Sequence, residues 1–93
     1  MIIGVLKVSV FIPTSNNLKE KRMVLRSLKN NLRNNFNISI SEIDCQDKWQ
    51  SSTLAVVTIG INKAVVNSLL SNIINCLERN KMIQLSDYEM ELI

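Results

Sequence analysis

The chain has 93 residues, of which 46% are hydrophobic and 20% charged, and its net charge is +3. That length supports one hydrophobic core, so a single domain over residues 1–93 is expected, and no apolar run approaches the roughly 20 residues that a bilayer span needs. Histidine is absent and only Cys45 and Cys76 carry thiols, which removes the commonest metal ligand and the commonest general base; no metal, cofactor or membrane partner is expected.

The first residues, Met1 to Leu6, have no basic leader ahead of their apolar stretch. They read as a strand rather than a signal peptide, which makes the cytoplasm the expected location. From Ile2 to Ile12, Leu6, Val8, Val10 and Ile12 alternate with Lys7, Ser9 and Phe11, and Pro13 closes the run, predicting a first strand. Asn17 followed by Glu20 is a capping-box start, after which Leu18, Leu25, Leu28, Leu32 and Phe36 recur at helical spacing; a helix is predicted over about 18–35. Ile38 and Ile40, then Ile43 and Cys45, alternate with polar neighbours but change phase, as in a strand carrying a bulge.

Polar residues from Asp44 to Ser52 lead into Leu54–Ile61, a nearly continuous apolar run suited to a central strand. After Asn62, a plausible cap, Val66, Leu69, Leu70, Ile73 and Leu77 predict a second helix over about 63–79. Ile83 and Leu85, then Tyr88, Met90 and Leu92, predict a last strand with a second phase break. The order strand, helix, strand, strand, helix, strand folds most simply, with right-handed crossovers, into an α+β ferredoxin-like βαββαβ domain: a four-stranded antiparallel sheet with both helices on one face.

Charge is organised by element. Lys19, Lys21, Arg22, Arg26, Lys29 and Arg33 stand against the single acid Glu20 between residues 19 and 33, while Asp87, Glu89 and Glu91 close the chain without a base. On a helical wheel Lys19, Arg22, Arg26, Lys29 and Arg33 share one flank. Such a run can be a solvated face. Here, however, no acids are interleaved, and Lys19, Lys21 and Arg22 lie in the first turn, where the helix dipole disfavours cations. These two features point to phosphate, at the free N–H groups of the helix start and along the flank.

The predicted topology gathers the loop Pro13–Asn17, the first helical turn, the hairpin Asp44–Gln50 and the connector Arg79–Lys81 at one end. There Asp44, Asp47, Trp49 and Gln50 are candidates for reading bases by stacking and hydrogen bonding. Alternatively, Trp49 folds onto a helix end while Asp44 and Asp47 pair with Lys21 or Arg22. Catalysis by the two aspartates is not expected, because no nucleophile, histidine or metal cluster accompanies them. The sheet face away from the helices is expected to carry Ile3, Val5, Ser9, Leu54, Val56 and Thr58, a surface apolar enough to need a cover such as a second copy of the chain.

The segments Asn17-Leu18-Lys19-Glu20-Lys21-Arg22, Asn35-Phe36-Asn37-Ile38 and Gln46-Asp47-Lys48-Trp49-Gln50 resemble the YlxP-like family of small bacterial proteins (domain of unknown function family 503) along essentially the whole chain. The resemblance implies a ferredoxin-like α+β domain with no established catalytic residues, from a family often encoded near translation and ribosome-maturation genes. It also implies that relatives often carry histidine where this chain has Cys45. The sequence therefore suggests a non-catalytic module that binds RNA or the ribosome through Lys19, Lys21, Arg22, Arg26, Lys29 and Arg33, with Trp49 and Gln50 as specificity contacts. Two further readings stay open: a homodimeric protein-interaction scaffold built through the sheet face or a strand edge, and an enzyme acting on a small phosphorylated ligand.

Overall fold

The computed structural model describes all 93 residues. Strand β1 (Ile2–Phe11) leads to helix α1 (Leu18–Asn35), strands β2 (Ser39–Asp44) and β3 (Ser51–Gly60), helix α2 (Lys63–Arg79) and strand β4 (Gln84–Leu92). The sheet order is β2-β3-β1-β4, with every pairing antiparallel. The first strand thus lies at the centre and the last at an edge, as in a ferredoxin-like fold.

Both helices begin with a side-chain cap. Asn17 Oδ1 accepts the Glu20 amide at 2.9 Å, and Glu20 returns the favour by accepting the Asn16 amide at 2.7 Å. At the second helix Asn62 Oδ1 accepts from the Val65 amide at 2.9 Å. These bonds satisfy N–H groups that a helix start otherwise leaves without partners.

One core lies between the sheet and the helices. Leu6, Val8 and Val10 of β1 face it with Leu54 and Val56 of β3, and Leu25, Leu28 and Leu32 of α1 and Val66, Leu70, Ile73 and Leu77 of α2 close it from above. Gly4 is required here by close approach: a Cβ on it would stand 2.5 Å from Val66 Cγ1 and 2.9 Å from Leu70 Cδ1. The buried Thr58 hydroxyl donates to the Asn37 carbonyl at 2.9 Å, so its polarity is met inside.

The third strand corrects the expectation for the open face. Leu54, Val56 and Thr58 are buried toward the helices, and Ala55, Val57 and Ile59 face away. Register explains this, because residues directly opposite each other share a face: Val56 opposes Leu6 and Leu54 opposes Val8. The strand also starts at Ser51, where it pairs with Phe11, ahead of the apolar run. On the open face Ile3 lies between Ile59 and Ile93, Val5 between Val57 and Glu91, and Lys7 between Ala55 and Glu89. The phase changes read from the second and last strands correspond to register shifts at Glu42/Asp44 and at Ser9/Val10 opposite Asp87/Leu85.

Candidate nucleic-acid interface

Helix α1 sets three roles by position. Residues 21, 25, 28 and 32 follow one another at spacings of four, three and four and form the buried seam. Arg22, Arg26, Lys29 and Arg33 follow with the same spacing one residue later, so they lie on the flank beside that seam. The flank rises about 16 Å along the axis. Arg22, Arg26 and Arg33 are exposed and Lys29 is half-buried. Lys19 is exposed in the first turn.

Lys21 departs from the expected role. Its side chain is 1% exposed, and its ammonium donates to the carbonyls of Cys45 at 2.6 Å and Lys48 at 2.7 Å while pairing with Glu42 Oε2 at 2.9 Å. Three N–H donors meet three acceptors, leaving nothing to offer a phosphate. Glu42 is held in turn by the Ser52 hydroxyl at 2.6 Å. Glu42 and Ser52 are thus members of a site that the sequence reading passed over. The spacing contained the signal: Lys21 occupies the seam position one turn before Leu25, and a charge on a core-facing seam requires a buried counter-charge.

This ammonium ties the β2–β3 hairpin to the start of α1. Within the hairpin Cys45 adopts a left-handed backbone with φ of 64°, the Lys48 amide donates to the Cys45 carbonyl at 3.1 Å, and Asp44 Oδ1 accepts the Cys45 amide at 2.8 Å. Asp44 and Asp47 form no ion pair, because Glu42 has taken Lys21. Gln50 Nε2 donates to the Pro13 carbonyl at 3.2 Å and the Gln50 carbonyl accepts from Ile12 at 2.7 Å. The side chain of Gln50 therefore helps fix the hairpin against the loop before α1. Trp49 stays 57% exposed rather than folding onto a helix end, and with Asp47, Lys48, Gln50 and Ser51 it lines an open concavity of about 350 Å³.

The helix start is not a free anion site. The capping pair of Asn17 and Glu20 occupies it and places a carboxylate there. What remains cationic is the flank. Arg33 Nη2 donates to the Ile40 carbonyl at 3.1 Å and so partly guards the edge of β2. The molecule contains one salt bridge, Lys21–Glu42, so no carboxylate neutralises Arg22, Arg26, Lys29 or Arg33. No three His, Cys, Asp or Glu side chains gather as a metal-binding group, and both cysteines are free and half-buried. No helix is long and apolar enough to cross a membrane.

The fold and this surface define a small α+β ferredoxin-like domain that presents an unneutralised basic helix flank beside an exposed tryptophan hairpin. Residues 3–90 match the family described as "Protein of unknown function (DUF503)", and the chain belongs to that family. It is similar to the protein named "Uncharacterized protein YlxP" of Bacillus subtilis (strain 168), with 32% identity over 73 residues, covering 78% of this chain and 79% of that protein.

Proposed function

We propose that this domain is a non-catalytic binding module for structured RNA, such as a ribosomal RNA surface, which it engages through Arg22, Arg26 and Lys29 with Trp49 as a stacking contact. The observation that carries the reading is the flank of cations without an ion pair in a molecule whose only salt bridge lies elsewhere. Like charges at helical spacings of three and four repel one another, a cost that phosphate relieves. Counterion release on phosphate contact then makes the affinity strongly salt-dependent. Trp49 adds a flat apolar surface on a hairpin anchored to the first turn of the same helix, where an unstacked base can lie. Arg33 is committed in part to the β2 edge and Gln50 to the Pro13 carbonyl, so they support the surface more than they read a ligand.

The test is binding of ribosomal RNA fragments across a salt series. Arg22→Gln and Arg26→Gln are each expected to weaken binding and to lower the salt slope by about 1, and Arg22→Glu with Arg26→Glu to abolish binding. Both side chains are exposed, so stability should stay within about 0.5 kcal/mol of the parent chain. Trp49 fluorescence should be quenched on binding. Affinity unchanged in the double reversal would refute the reading.

A further inference from the structure

The two edges of the sheet are treated differently. Strand β2 has six residues and a bulge, and its outward Ile40 carbonyl accepts from Arg33. Strand β4 has nine residues and no comparable guard over its far half. Ile3 and Ile93 exchange both backbone hydrogen bonds, at 2.9 and 2.8 Å. Because bonded and non-bonded pairs alternate in an antiparallel ladder, the backbone groups of Glu89 and Glu91 turn toward β1, while those of Tyr88, Met90 and Leu92 turn outward. The Tyr88 amide is taken by Asp87 Oδ1 at 2.8 Å. The amides and carbonyls of Met90 and Leu92 face outward with no strand beside them.

We infer that this edge takes up an extended peptide as a fifth strand, and that the peptide it fits alternates lysine or arginine with apolar residues. The outward backbone groups supply the hydrogen bonds of strand addition. The side chains supply the selection, since residues opposite each other share a face. Cations on one side of the added strand would stand across from Glu89 and Glu91, neither of which has an ion-pair partner. Apolar residues on the other side would stand beside Tyr88, which is 47% exposed, and the half-buried Met90 and Leu92.

A second copy of this chain does not fit. Pairing β4 with β4 sets acid against acid, and β2 brings Glu42 and Asp44 without a cation. RNA is repelled by the same carboxylates, so this surface is separate from the basic flank and its partner is a protein segment.

The probe is an acetylated, amidated Lys-Val-Lys-Val-Lys-Val-Lys peptide added to the full chain and followed by anisotropy and amide hydrogen exchange. Saturable binding with new protection at Met90 and Leu92 is expected. Glu89→Lys with Glu91→Lys, both at exposed positions, should weaken it by roughly tenfold or more. Methylating the peptide amides that face the edge should abolish it while leaving every charge in place. Equal binding by the permuted Lys-Lys-Lys-Lys-Val-Val-Val peptide, tolerance of the methylated peptide, indifference to the charge reversal, or protection confined to another element would each overturn the proposal.

Discussion

At the scale of single residues, Lys21 shows how one side chain can change role when its neighbours are counted. Its ammonium is out of water, and the two carbonyls and one carboxylate around it offset the loss of hydration only because all three are in place. Lys21→Met keeps the volume but leaves the Glu42 carboxylate without a counter-charge and the Lys48 carbonyl without a donor, while Ser52 still donates to Glu42 and the Lys48 amide to the Cys45 carbonyl. A loss of about 3 kcal/mol is expected, readable as a lower urea midpoint. Glu42→Gln should cost less, because the amide oxygen still accepts from Lys21 and Ser52. The reverse ranking would show that the carboxylate charge, not the set of acceptors, holds the ammonium. The spacing from Leu25 puts Lys21 on the seam, but the surrounding cations suggested a phosphate contact instead, and its partner Glu42 is 21 positions away in a strand whose bulge hides its facing. Such a pairing is a property of the folded chain.

At the scale of elements, the caps and seams were legible because they are local. Asn17 with Glu20 and Asn62 with Val65 form bonds within a single turn, and the predicted helix limits agree with those observed. The strand facing of Leu54–Ile61 was not legible, since an unbroken apolar run contains no alternation from which to choose a side. Only pairing with β1 decides it. The contact of α2 with the sheet carries its own test. Gly4→Ala inserts a methyl group 2.5 Å from Val66 Cγ1 and 2.9 Å from Leu70 Cδ1, and both neighbours are core side chains with little room to move. Thermal unfolding should show a loss of roughly 1 to 3 kcal/mol, and Val66→Ala in the same chain should recover part of it.

At the scale of the whole molecule, charge is separated across the width of the sheet. The basic flank belongs to α1, which packs over the β2 side, and the acids Asp87, Glu89 and Glu91 lie on β4 at the opposite edge. The sequence displayed both clusters but could not place them, because edges are defined by which strands pair. Such a separation attracts polyanions to one side and repels them from the other, so the proposed RNA ligand would be oriented before contact. On the two proposals above, the same separation would leave room for a protein segment at β4 and an RNA at α1 on one domain.

The position of β1 has one more consequence. Amides of Gly4, Leu6 and Val8 turn toward β3, while those of Val5 and Lys7 turn toward β4, which lies almost a full chain length away in sequence. Detaching β4 uncovers fewer buried side chains than opening the centre, since β4 contributes only half-buried residues to the core. Adjacent amides along one strand should therefore exchange with solvent in two classes, slow at even positions and faster at odd ones. Native-state hydrogen exchange resolves this residue by residue, and a uniform rate along β1 would mean that the sheet opens as a single unit.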